Sequence, residues 1–254
     1  VEPYFTNHGT DESPHFTPGT SKGPAPYINR ANLADLVTRL AEVGIDAHMH
    51  ADGDGAVRLA LDAVEDAQKA HPEFNLRPAI AHAEIVHPAD YGRFAQTGAL
   101  PVLSFQWGKP ASDTMEGSRD YMGPYRHALL EPQGLLDIYG ARVVFGSDWP
   151  VDPLNEWLAL QVAITRAPVG EDKNKYQGRL GVDPGLSLDR ALRAMTIDAA
   201  FSLRVENVLG SLEVGKFADL IVLDRDLFKT PNEEIAETKV DLTMVGGKVV
   251  FERK

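Results

Sequence analysis

From residue 31 to residue 166, apolar runs of strand length alternate with stretches whose apolar residues recur at helical spacing. That alternation restricts the fold more than any other feature, because strands separated by helices run parallel and need crossover connections. The first helical stretch, ANLADLVTRLAEVG, closes on Gly44 as a C-cap. IDAHMH follows as a strand, and GAVRLALDAVEDAQKA is the next helix, stopped by His71-Pro72. RPAIAHA reads as a strand and PADYGRFAQTG as a short helix with Pro88 near its start. ALPVLSFQ is the third strand, followed by a polar, Gly-containing loop over 107–124 and a helix over 125–139. ARVVFGS is the fourth strand and LNEWLALQVAITR is helical again.

SLDRALRAMTIDAAFSLRV predicts one further helix with Ser187 as its N-cap. Beyond it the texture changes. GSLEVGKFADLIVLDRD and VDLTMVGGKVVFERK are strand-like, and Gly246-Gly247 reads as a hairpin turn. A boundary falls near 207–212, with an α/β part over 1–207 and a small β part over 208–254. The first thirty residues are rich in Pro, Gly, Ser and Thr without periodicity, which fits either a disordered leader or a long loop on an active-site face.

Charge and composition remove several function classes. A formal charge of -12 disfavours nucleic-acid or anionic-membrane partners, which require clustered Lys and Arg. The absence of cysteine excludes disulfides, thiolate metal ligands and cysteine nucleophiles, and is compatible with a cytoplasmic setting. No apolar run has the length of a membrane span, and no signal-peptide pattern is present. ADGDGAV carries glycines but lacks the G-x-G-x-x-G spacing of a dinucleotide site.

Each strand ends on a conspicuous polar residue: His48 and His50, then His82, then Gln106, then Asp148. In β/α barrels the active site forms at the C-terminal strand ends, where the βα loops converge. A single histidine in such a place reads as a hydrogen-bonded structural residue, but several polar groups at one end argue for a site. Two imidazoles and a carboxylate suit a divalent ion, zinc first, which would lower the pKa of water and polarise a carbonyl. Strand alternation puts His48 and His50 on one face and does not choose between them. Trp107 and Trp149 are candidates for pocket or core, and His8, His15, His71, His87 and His127 for solvated positions.

HMHADGDGAVRLALDAVEDA, PAIAHAEIVHPADYGRF, VVFGSDWPVDP, LSLDRALRAMTIDAAFSL and LGSLEVGKFADLIVLDRD, in that order, resemble the amidohydrolase superfamily. The resemblance is closest to its YtcJ-like branch, which includes N-substituted formamide deformylases. It implies an α/β fold, the C-terminal part of a (β/α)8 TIM-like barrel of metal-dependent hydrolases, with part of a small β-sandwich domain. By the same resemblance His50 and His82 match metal histidines of strands five and six. Asp148 matches the strand-eight aspartate that binds metal and shuttles a proton. Gln106, Trp107 and Trp149 would face the substrate, a small-molecule amide or formamide cleaved at a non-peptide C–N bond.

The family's His-x-His strand and the bridging lysine of strand four have no counterpart upstream in this sequence, so the expected object is half a barrel. Open sheet edges and an apolar face would then favour a homo-oligomer or association with another polypeptide. The alternative function is a non-catalytic subunit that binds a partner or a small ligand.

Overall fold

β1 (Phe5–Asn7) pairs antiparallel with β2 (Phe16–Pro18) in a computed structural model that describes residues 1–10 and 12–254. Helix α1 (Arg30–Glu42) starts where the Asn29 side chain accepts the Asn32 N–H, and ends at Val43 with Gly44 at a φ of 74°. Its buried Val37 packs with Ala47 and with Ala67 of α2 (Asp54–Ala70), on either side of β3 (His48–Ala51). The apolar stripe of α2, including Val57, Leu61 and Val64, is wholly buried.

The rest of the parallel sheet follows in the order the alternation requires. β4 (Ala79–His82) leads through a 3-10 turn at Pro88–Asp90 into α3 (Tyr91–Thr97), and then comes β5 (Leu100–Leu103). After α4 (Arg119–His127) and α5 (Gln133–Ile138) the chain returns as β6 (Val144–Phe145) and leaves as α6 (Glu156–Thr165). The four strands pair in parallel in the order β3-β4-β5-β6. Interior β4 is buried at all four positions, whereas terminal β3 leaves His48 and His50 exposed. Leu61, Ile80, Phe94, Leu103, Leu136 and Leu160 join one core cluster. Full burial of each such side chain contributes about 1.5–3 kcal/mol.

Three stretches differ from the sequence expectation. The helix expected over 125–139 is two pieces, because Pro132 has no N–H and disfavours helical backbone at the residue before it. Glu131 accordingly sits at a φ of 53°, between the end of α4 and the start of α5. The loop expected over 107–124 contains a π-helical turn at Asp113–Gly117 and the first turns of α4. The residues before 30 include an ordered hairpin, docked where the Phe5 ring lies against Gly123 and Arg126 donates to the carbonyls of Glu2 and Pro3.

Ser187 caps α7 (Leu188–Met195) as expected, but the single helix expected there breaks at Thr196 before α8 (Ile197–Ser202). The Thr196 hydroxyl bonds back to the Leu192 carbonyl, and the following loop lies so close that a Cβ at Gly210 would sit 2.9 Å from the Ile197 Cα. The chain then forms an antiparallel meander of β7 (Leu220–Leu223), β8 (Val240–Val245) and β9 (Lys248–Glu252). Gly246 and Gly247, at φ of 56° and 78°, make the tight β8–β9 turn. The meander is tied to the α/β part where Leu227 and Ile235 enter the main core and the Gln161 side chain accepts the Ala236 N–H. No helix among the described residues is long and apolar enough to cross a membrane.

Arg166, with no exposed surface, fastens the irregular segments together. It donates to the carbonyls of Glu131, Leu130 and Leu180, and its Nε lies 3.7 Å from Asp183. Asp183 in turn accepts the N–H groups of Gly134 and Leu135 at the start of α5. Arg166→Ala would leave a buried carboxylate and three carbonyls without their donor, so a loss of about 3–5 kcal/mol is expected. Urea denaturation followed by circular dichroism checks it, and a loss below about 1 kcal/mol would contradict the role given to Arg166.

Candidate metal centre and adjoining cavity

The parallel register that pairs Ala51 with His82 brings the ends of β3 and β4 side by side. The His50 and His82 rings meet edge to face with centroids 4.4 Å apart. Backbone bonds hold the two following loops in step, Ala83 N–H to Ala51 O and Ile85 N–H to Asp52 O. His82 and Ala83 both adopt positive φ, 72° and 47°. Left-handed backbone at two successive non-glycine residues costs on the order of 1–3 kcal/mol each and is kept where the surroundings over-determine it.

His82 is 8% exposed and its Nδ1 is buried with no hydrogen-bond partner. Its ring stacks on Trp107 at 5.4 Å and 12°, and the Trp107 indole N–H donates to Asp152 Oδ2 at 2.6 Å. Beside Trp107, Gln106 donates from Nε2 to the Ser147 carbonyl at 2.8 Å. The tight turn carrying both residues depends on Gly108, where a Cβ would fall 1.9 Å from Gln133 Nε2.

Among the described residues, one group of three or more His, Asp and Glu side chains is close enough to share an ion: His50, Asp52 and His82, with ligand atoms within 4.8 Å of one another. His50 Nε2 lies 3.7 Å from Asp52 Oδ1. Two imidazoles and a carboxylate are the donor set of a zinc-like ion, and the unpartnered Nδ1 of His82 is the kind of atom such an ion satisfies.

The expected site residues are distributed as follows. His50 and His82 are in the group and His48 is not. Asp148 lies beyond β6, exposed and at a φ of 54°, outside the group of three. Gln106 and Trp107 line a cavity of about 620 Å³, which adjoins His82 through the stacked Trp107 ring. Trp149 does not line it: the turn that begins at Asp148 leaves this indole 64% exposed.

Asp52, Asp152 and Glu84 were not anticipated. Asp52 had a signal in the sequence, two residues after His50 in HADGD, whereas Asp152 and Glu84 acquire their neighbours only in the fold. Burial, followed by the charges of Asp52 and Asp113, pushes the Glu84 carboxyl up to about 7. Glu131, fully buried, is pushed well above the carboxylate range by burial and then by Glu84.

Comparison with known proteins identifies the family. The profile of the amidohydrolase family matches residues 2–251. N-substituted formamide deformylase of Arthrobacter pascens is 29% identical over 90% of this chain and 41% of its own length. The putative amidohydrolase YtcJ of Bacillus subtilis is 26% identical, over 87% of this chain and 40% of its own. The chain therefore spans about two fifths of the length of these relatives. An uncharacterized metal-dependent hydrolase from Pyrococcus furiosus superposes with a TM-score of 0.62 at 25% identity, over 85% of this chain and 38% of that one.

The raised Glu131 pKa has a consequence for stability. Between the usual carboxylate value near 4.5 and the higher folded value, the unfolded chain releases a proton that the folded chain keeps. The contribution of neutral Glu131 is thus complete below about pH 4.5 and is lost as pH rises toward its folded pKa. Glu131→Gln should gain stability over the parent protein at pH 8 and little or none at pH 5, measured by thermal denaturation at both values; a pH-independent difference contradicts it.

Proposed function

Because the chain belongs to the amidohydrolase family, we propose that it serves metal-dependent hydrolysis of a non-peptide C–N bond in a small amide or formamide. The observation that carries this reading is the grouping of His50, Asp52 and His82, whose ligand atoms lie within 4.8 Å of one another at the ends of two paired strands. His50, Asp52 and His82 would hold a divalent ion, zinc by the chemistry of its donors. When bound, such an ion lowers the pKa of water and polarises a carbonyl.

The protein's own groups have separate duties in the proposal. Trp107 fixes the His82 ring by stacking, and Asp152 holds the indole in place. Gln106 stands in the cavity wall where the amide would lie. Asp148 is assigned the proton transfer: a carboxylate oxygen takes a proton from the attacking water and delivers it to the departing nitrogen. Water adds to the carbonyl carbon, the C–N bond breaks, and the products are a carboxylic acid and an amine, which exchange a proton to leave as carboxylate and ammonium.

The test is metal titration of the stripped chain, with turnover of a panel of N-formyl and N-acyl amines. Zinc should bind, and His82→Ala should weaken it by more than the about 10–100-fold cost of losing an outer-shell partner. Asp148→Asn should retain the metal and lose at least about 100-fold in kcat. Metal-free protein indifferent to His82→Ala would instead support the non-catalytic subunit.

Association belongs to the same proposal. The terminal strands β3 and β6 each pair on one side only among the described residues, which leaves two edges able to pair with another chain. Sedimentation equilibrium should give a mass above that of one chain, and a stable monomer at micromolar concentration would count against it.

A further inference from the structure

We infer that the cavity beside the two histidines is a subsite for a positively charged, N–H-donating group of the substrate, an alkylammonium carried at a distance from the scissile amide. The inference rests on the hydrolase reading for the word substrate, while the charge preference of the cavity stands on observations of its own.

The first observation is the balance of charge on the wall. Six carboxylates line the cavity, and Lys109 is the one cation among its described residues. Lys109 is already paired with Asp172. Asp152 is engaged by Trp107, but Glu156 and Glu171 form no ion pair among the described residues and stand exposed at the rim. An anionic substrate entering here would meet uncompensated like charge, whereas a cation would be drawn in.

The second observation concerns Gln106, which is 8% exposed and lines the same cavity. Its amide orientation is fixed, because Nε2 donates to the Ser147 carbonyl and approaches Asp152 Oδ2, both acceptors. That leaves Oε1 as a buried acceptor with no partner. A buried polar atom left unpaired costs on the order of 1–3 kcal/mol, and the ligand that relieves it must be a donor. Carboxylates and an unpaired carbonyl oxygen therefore ask for the same chemistry.

The third is the apolar part of the wall. Trp107 and Phe145 both contribute to it, and aromatic faces attract a cation while packing its alkyl stem. A volume of about 620 Å³ accommodates a group well beyond a formyl unit.

The experiment compares three mono-N-formyl amides of similar length, made from 1,4-diaminobutane, butylamine and 4-aminobutanoate, on the zinc-loaded full chain. The cationic amide should have kcat/KM at least about tenfold above the neutral one, and the anionic amide should be poorest. The preference should shrink between about 50 and about 300 mM salt. It should also shrink in the Glu156→Gln, Glu171→Gln double variant, whose side chains are exposed and whose folding is checked by its melting curve.

Butylammonium and 1-butanol, titrated by calorimetry into the same proteins, separate this inference from the reading it rests on. Butylammonium binding that weakens at least about fivefold in the double variant, with no turnover of any amide, upholds the subsite and removes the hydrolase. Turnover indifferent to charge, or butylammonium binding no better than butanol, overturns the subsite and leaves the hydrolase standing.

Discussion

A single buried guanidinium organises the part of this protein that is neither helix nor strand. Arg166 caps α6 in a left-handed conformation and spends its donors on the carbonyls of Leu130, Glu131 and Leu180. Those carbonyls belong to segments with no regular partners of their own, so their burial is tolerable only with a donor supplied from elsewhere. Glu131 then donates its N–H to the Glu84 carbonyl, in the loop that leaves His82. A charge in the core thus supports the strained turn at the candidate metal centre through two intervening contacts.

The site itself is a product of parallel pairing. Parallel strands deliver all their C-terminal ends to one side, and the register of β3 on β4 decides which residues meet there. His50 and His82 converge because Ala51 stands opposite His82, and a shift of one residue would carry the β3 histidines to the other face. The loops then furnish what the strands cannot. Asp52 completes the donor set, Trp107 stacks on His82, and Asp152 anchors the indole from beyond β6.

Acidity, which at the level of the whole chain speaks only of solubility and excluded partners, has a local form as well. Partial burial, followed by the charges of Asp52 and Asp113, raises the pKa of Glu84, and the carboxylates of the cavity wall give it a charge that its one paired lysine does not offset. Chemistry at the histidines and selection of what reaches them are consequently parts of one electrostatic arrangement.

Much of this was legible along the sequence. The strand and helix order, the caps at Gly44 and Ser187 and the Gly246-Gly247 turn follow from periodicity and cap chemistry, which are local properties, whereas the choice of His50 over His48 rested on the family resemblance. What the sequence did not disclose depends on residues far apart in the chain. The split at Pro132 was written in the sequence but overridden by the apolar spacing around it; the break at Thr196 is set by packing against the loop at Gly210. The placing of Asp152 and Glu84, the outward Trp149 and the unpaired Oε1 of Gln106 were decided by tertiary structure alone. Sequence determines which groups each strand end carries; only the folded backbone, through register and left-handed turns, determines which of them come within bonding distance.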